Sequence, residues 1–398
     1  MKIAVVTQIF PVREQPYRGH SVVETLKQMQ RRAEVMVYSP QARYPGWLLP
    51  HSRMWARTDL DYVPDGIAAR YFAYPAIPVL TRPINGWVCG ILLERLLRLH
   101  PPDVMLSYWL YPDGAAALRA GRKLGVPVVV KAVGSDMNQA TDCISRFLTR
   151  KVLEDADGVL TVSAHLRNKI IGMGIAAEKV RAVPNGCDTS VFHCSDRSEA
   201  RHALAIPADA DLILYVGRFD LAKGLQELLR AVADLVPRFP RIRVVLLGDG
   251  PARQAVEGLA QHLGIMERVT LARPSPSSEV ARWMAAATVC TLPSYREGYP
   301  NVAVEAVSCG RPLVATNVGG IPEIINESCG VLVPPHDHPA LAAGLACALQ
   351  RQWDSNEVAS KMQRGWEQVA AETLDACSAA IAEKQRRAAR ASVSSGAA

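Results

Sequence analysis

The chain is 398 residues long, 49% hydrophobic and formally +7 at pH 7. That length and apolar content suit two domains with full-sized cores and argue against a small stapled or disordered chain. No apolar run approaches the ~18 residues needed to span a bilayer; the longest, 86–93, stops at Glu94 and Arg95. Residues 1–7 are too short for a signal peptide and read as a first strand. Nine scattered cysteines with no CxxC spacing fit reduced thiols, hence a cytoplasmic protein.

In chain order, short β-branched runs alternate with helical periods. In the first half they fall at 3–7, 35–39, 104–108, 126–133, 158–163 and 180–184; in the second at 212–217, 243–248, 269–272, 289–293, 312–318 and 330–333. Each is apolar without alternation, as parallel strands buried on both faces should be. Helical stretches such as 224–236 and 251–263 lie between them, so the pattern is βαβ repetition, twice. Residues 40–85, rich in Pro and aromatics, read as an insertion on the first domain. The expected division is 1–190 and 191–373, with a last segment at about 374–390 and a disordered tail at 391–398. Two doubly wound, Rossmann-like parallel-sheet domains facing each other would create a cleft, with ligands off the carboxyl ends of the strands.

The charge is uneven. Residues 1–190 carry 24 Lys and Arg against 16 Asp and Glu, and residues 191–398 carry 21 against 22. A basic first half points to an anionic partner: a phosphate-bearing acceptor or a membrane surface. No nucleic-acid recognition motif is present, so nucleic acid is not an expected partner.

The chemistry concentrates after strands of the second half. Arg296-Glu297-Gly298-Tyr299-Pro300-Asn301-Val302-Ala303-Val304-Glu305 follows run 289–293. Pro300 suits the first position of a helix, where its missing N–H costs nothing. Glu297 then lies on a loop and Glu305 about a turn into the helix. The amides of Asn301 and Val302 at the helix start make an anion site. A carboxylate on each side of a phosphate cradle points to a ligand that is both phosphate and polyol, a nucleotide-sugar. Gly217-Arg218-Phe219-Asp220-Leu221-Ala222-Lys223-Gly224 also follows a strand and places two cations, Arg218 and Lys223, where a leaving diphosphate develops charge.

Other motifs read as structural or open. Gly248-Asp249-Gly250 is a turn, with Asp249 structural. For Gly319-Gly320-Ile321-Pro322-Glu323, ligand approach and packing are equally good readings. Asp155/Asp157 and Asp209/Asp211 precede strands, the wrong end for a metal–diphosphate site. His336-Asp337-His338 reads as a helix start capped by Asp337 or His338. No Cys/His cluster has ligand spacing, so no metal is expected. In the first half, Gly134-Ser135-Asp136 follows run 126–133. Arg18-Gly19-His20-Ser21 lies between the first strand and helix, where backbone amides, Gly19 included, can meet donor or acceptor. His20 reads as a helix-start residue.

The set Gly217-Arg218…Lys223-Gly224, Glu297-Gly298…Glu305 and Val318-Gly319-Gly320-Ile321-Pro322-Glu323 resembles the retaining family 4 glycosyltransferases, over about 180–350 and more loosely before it. The resemblance implies the GT-B fold, with a final helix that returns to the first domain, here through Trp366 and residues 374–390, and metal-independent transfer from a nucleoside-diphosphate-sugar with retention and no cofactor. It also implies roles: Arg218 and Lys223 on the diphosphate, Glu297 on sugar hydroxyls, Glu305 on the ribose, and amides near Tyr299, Pro300, Asn301 and Val302 on phosphate or sugar. Tyr111-Pro112-Asp113-Gly114 and Gly134-Ser135-Asp136 look like the branch that builds exopolysaccharide or teichuronic-acid-type polymers. Many relatives carry His or Arg where this chain has Val133, which leaves Asp136 as the catalytic candidate of the first domain.

The expected function is therefore sugar transfer to a glycan or lipid-linked acceptor in cell-surface polysaccharide biosynthesis, in the cytoplasm or peripherally at the membrane. A nucleotide-sugar epimerase or hydrolase of the same fold, and a non-catalytic subunit of a polysaccharide assembly complex, are the alternatives.

Overall fold

The computed structural model describes residues 1–45, 60–64, 66–77, 80–139 and 142–395. The chain divides into two compact units: Met1–Asn185 with Trp366–Ala398, and Gly186–Gly365. The first division thus falls five residues before the expected 190/191, and the return to the first unit begins at Trp366, ahead of the domain bound expected at 373/374.

The first unit contains β1 (Lys2–Val6), β2 (Glu34–Arg43), β3 (Ala69–Pro75), β4 (Val104–Tyr108), β5 (Val128–Ala132), β6 (Gly158–Thr161) and β7 (Val180–Ala182). They form one parallel sheet in the order β3-β2-β1-β4-β5-β6-β7. The second unit contains β8 (Asp211–Val216), β9 (Ile242–Leu247), β10 (Val269–Ala272), β11 (Val289–Leu292), β12 (Leu313–Thr316) and β13 (Gly330–Val333). Its parallel order is β10-β9-β8-β11-β12-β13. Both are doubly wound sheets, and strand order reverses between β1 and β4 in one and between β8 and β11 in the other. Loops that leave neighbouring strands at such a reversal diverge to opposite faces and open a crevice.

The central strands are buried along their length: β4 and β5 throughout, and β11 and β12 likewise. That burial is why the sequence shows them as uninterrupted apolar runs. β3 is the exception and a correction to the expected insertion at 40–85. It pairs in register with β2, Val37 opposite Ala69 and Arg43 opposite Pro75. As an edge strand it mixes buried Tyr71, Phe72 and Tyr74 with exposed positions, so it carries no continuous apolar signal. The helix Asn85–Leu97 also starts at the end of that stretch; residues 46–59, 65 and 78–79 of it lie outside the described residues.

The helix Trp366–Ser395 closes the first unit. Trp366, Val369, Ala370, Leu374 and Cys377 pack into one core with Val5, Phe10, Leu26, Met29 and Tyr108. The tail expected to be disordered from 391 continues this helix to Ser395, where Ala388, Ala389, Arg390 and Ala391 are strong helix formers. Residues 396–398 lie outside the described residues. Among the described residues no helix is long and apolar enough to cross a membrane, and the nine cysteines form no disulfide.

Candidate active site

The loops after β8 and β11 leave neighbouring strands at the reversal of the second sheet, and backbone geometry locks them together. Lys223 ends the one-turn helix Leu221–Lys223, whose start is capped by the Asp220 carboxylate accepting from the Ala222 amide at 3.1 Å. Gly224 follows at φ +64°, and a Cβ there would stand 2.0 Å from the Pro293 carbonyl oxygen. Only glycine lets the two loops approach so closely. The Tyr295 amide then donates to Ala222 O at 2.9 Å, and the Tyr295 hydroxyl donates to Glu227 Oε2 at 2.5 Å. His336, held at φ +61°, stacks on the Tyr295 ring at 3.7 Å between centroids. The outcome is a contact between two expected site residues: Lys223 Nζ donates to Glu297 Oε1 at 2.6 Å, both side chains largely shielded. Charge-assisted hydrogen bonds of this length are the strong ones.

The Glu297 loop is also held from β12. The Gly320 amide donates to Gly298 O at 2.9 Å. At Gly319, φ +57°, a Cβ would lie 1.9 Å from Glu297 O. The paired glycines are therefore explained by packing against the Glu297 backbone. Similarly, the Phe219 amide donates to Asp249 O at 2.9 Å, and Gly250 has room for no Cβ beside Phe219 O. The Gly248–Gly250 turn thus buttresses the Arg218 loop, and Gly217 donates to Leu247 O at 3.0 Å.

Pro300 is the cap of the helix Asn301–Ser308 (φ −74°, ψ 122°) rather than its first residue. Asn301 and Val302 accordingly occupy the first two helical positions. Tyr299 is buried beneath the loop. Glu305 is the fifth helical residue, and burial pushes its carboxyl up to about 7. Arg218 stands apart: its side chain is 70% exposed, and the nearest acid is Asp220 at 4.0 Å. Its backbone is nevertheless fixed, because the Tyr215 hydroxyl donates to Arg218 O at 2.9 Å.

In the first unit the reversal between β1 and β4 holds Asp113, which the sequence marked only through a motif. Its Oδ2 accepts from the Gln8 amide at 2.6 Å. Burial pushes its carboxyl up to about 7; Asp136 nearby adds to this, while the Gln8 amide and Arg18 oppose it. Asp113 Oδ1 and Arg18 Nη1 are both buried with no hydrogen-bond partner among the described residues. The signal that identifies Asp113 is its place, an acid just past β4 at the carboxyl end of the sheet. Asp136 is also buried and raised, to about 6, by desolvation. It accepts from the amides of Gly134 and Met137, each at 2.9 Å, so it organises its own turn. Gly19 caps the first helix at φ +70°, against the Ile9 carbonyl. His20 meets Trp366 edge to face at 6.5 Å.

The remaining motifs have structural partners. Asp155 pairs with Arg122 at 2.5 Å and Lys151 at 3.0 Å. Asp157 accepts from the Val128 amide at 2.9 Å, and Asp209 faces Arg241 at 3.7 Å. Asp337 caps the helix His338–Gln350 through the Ala340 amide. Among the described residues no group of three or more His, Cys, Asp or Glu is placed to hold a metal ion.

Known families resemble this chain in both of its halves. The model for glycosyl transferases group 1 matches residues 196–366, and that for a glycosyl transferase 4-like domain matches residues 19–186. D-inositol 3-phosphate glycosyltransferase 2 of Catenulispora acidiphila is 30% identical over 355 residues, covering 81% of this chain and 82% of the relative. Sucrose-phosphate synthase of Thermosynechococcus elongatus superposes with a TM-score of 0.73 at 23% identity, over 98% of this chain and 100% of that one. Anabaena HepE in complex with UDP superposes with a TM-score of 0.68 at 18% identity, over 99% and 100%. With both family models matched in order, and two doubly wound sheets of seven and six strands, the chain belongs to the group 1 glycosyltransferases of GT-B fold.

Proposed function

We propose that this glycosyltransferase takes a sugar from a nucleoside-diphosphate-sugar and passes it, with retention of configuration, to a lipid-linked or glycan acceptor of cell-surface polysaccharide biosynthesis. The observation that carries the donor half is the Lys223–Glu297 pair at the reversal of the second sheet. Lys223, with Arg218 on the same loop, meets the charge that grows on the leaving diphosphate. Glu297 holds Lys223 in place and takes sugar hydroxyls. The amides of Gly298, Tyr299, Asn301 and Val302 around the helix start face phosphate. Glu305, one turn on, takes ribose hydroxyls. The bond from the anomeric carbon to the diphosphate breaks, and the bond to the acceptor oxygen forms on the same face. The acceptor proton leaves on the departing phosphate oxygen. Asp136, with Asp113 beside it, serves the acceptor side. These cations and amides supply the charge stabilisation, so the reaction calls for neither metal nor organic cofactor. The basic first unit, 28 Lys and Arg against 19 Asp and Glu, fits an enzyme working at the anionic inner face of the membrane.

A second reading of the acceptor has its own support. The D-inositol 3-phosphate glycosyltransferases among the relatives favour a soluble phosphorylated polyol.

The test is thermal stabilisation by UDP, GDP, ADP, TDP and CDP and their sugar conjugates, with EDTA, followed by turnover on lipid-linked and inositol-phosphate acceptors. One base should stabilise the protein by ~2.7 kcal/mol at about 100-fold over its dissociation constant, in EDTA as without it. Lys223→Ala should lose that shift and about 2–4 kcal/mol of transition-state stabilisation. Wild-type turnover in Lys223→Ala would overturn the donor roles. Transfer to inositol phosphate alone would replace the lipid-linked acceptor, and release of free sugar with every acceptor would favour a hydrolase.

A further inference from the structure

Eleven large apolar side chains are conspicuously exposed among the described residues, and five of them fall at one corner of the first unit. Leu80 (77% exposed) precedes the Arg82–Ile84 turn by two residues, Ile84 (51%) ends that turn and Trp87 (58%) lies at the start of the helix Asn85–Leu97. Ile144 (54%) and Phe147 (66%) lie on the first turns of the helix Cys143–Asp155. The two starts are neighbours, since Arg82 Nη1 reaches Asp142 Oδ2, the cap of the second helix, at 3.5 Å. Exposed apolar clusters of this kind are rare on a soluble surface without a partner.

The surroundings are basic. The helices Asn85–Leu97, Ala115–Leu124 and Cys143–Asp155 carry seven Lys and Arg against three Glu and Asp. The first unit carries 28 against 19, and the second 17 against 19. The Arg119 guanidinium lies 5.0 Å from the centre of the Trp87 ring, an aromatic and a cation side by side as at a lipid headgroup boundary. The corner also adjoins the carboxyl end of the sheet. The Tyr111 hydroxyl donates to Arg82 O at 2.5 Å and accepts from the Gly86 amide at 3.3 Å, and Asp113 is two residues on.

We propose that this corner is a membrane-docking surface: Leu80, Ile84, Trp87, Ile144 and Phe147 enter the headgroup boundary while the surrounding Arg and Lys meet anionic lipid. The inference rests on the lipid-linked reading of the acceptor, because docking here brings the Asp113 end of the first sheet to the membrane that holds it. A second copy of the chain is the poorer occupant, since two such basic surfaces repel each other, whereas anionic headgroups complement them and the apolar cluster adds area to bury.

The experiment is flotation of the full chain with vesicles of phosphatidylcholine alone or with phosphatidylglycerol, at ~0.15 M salt. Two double variants are compared: Trp87→Ser/Phe147→Ser and Arg119→Gln/Arg146→Gln. Wild type should float with the anionic vesicles and not with the neutral ones. Each variant should lower the bound fraction about tenfold while keeping its melting temperature and its nucleotide-induced shift. A wild type that ignores anionic vesicles, or a Trp87→Ser/Phe147→Ser protein that floats like wild type, overturns the proposal. So does a wild-type dimer that the same variant makes monomeric, which assigns the corner to a second copy. Loss of the nucleotide shift in wild type would instead sink the donor reading and leave the flotation result standing.

Discussion

Glu305 shows how one carboxyl couples the site to pH. Its ordinary value of 4.5 rises to about 7 because burial disfavours the charge. The folded protein therefore keeps a proton that the unfolded chain releases between about pH 4.5 and 7. Its stabilising share is whole below that window and is lost as pH rises through it. Glu305→Gln cannot ionise and should escape the loss. The variant should melt with wild type near pH 4.5 and above it at pH 8, while binding nucleotide more weakly because a carboxylate acceptor is gone. A parallel pH dependence in the two proteins would show that Glu305 is not the group that titrates. Asp113 and Asp136, raised to about 7 and about 6, act in the same direction, so only the difference between wild type and variant isolates Glu305. Tyr295 belongs to this scale as well: a hydroxyl on Glu227, an amide on Ala222 and a ring under His336 hold the loop that carries Glu297.

Among elements, the helix Trp366–Ser395 does the most with the least signal. The family resemblance suggests that Trp366 and 374–390 pack back on the first domain, and the first turn of the helix does contribute a core side chain, Trp366, 4% exposed. Trp366→Ala should cost about 3–5 kcal/mol, as for other large-to-small changes of buried aromatics, read by chemical denaturation of the first unit's transition. A loss below 1 kcal/mol would mean that the helix is dispensable to that core. β3 is the opposite case, an element hidden in the sequence because an edge strand buries only part of each face. The strands beside the reversals, β4 and β11, were legible for the converse reason: burial on both faces demands an uninterrupted apolar run.

At the scale of the whole molecule, the two units divide the chemistry. The second carries the loops 217–224 and 295–302 that we propose meet the donor; the first carries Asp113, Asp136 and the exposed apolar corner. Hydrogen exchange should report this division. Nucleotide added to the full chain should slow exchange at the Lys223 and Glu297 loops of the second unit and leave the proposed docking corner of the first unchanged. Protection confined to the first unit would invert the assignment of donor and acceptor sides.

Local pattern was enough to show two doubly wound sheets and where their site loops begin, because strand burial and loop chemistry are written in consecutive residues. It also named Lys223 and Glu297 separately, each after its own strand. Their 2.6 Å contact was not legible, since it joins residues 74 positions apart and depends on Gly224 and Gly319 having no Cβ. Asp113 stayed in the background for a similar reason: an acid near a strand end is ordinary until folding buries it beside Asp136 and Arg18. The sequence alone determined which groups are available; the tertiary structure decided which of them meet and which lose their water, because both depend on packing between segments distant in the chain.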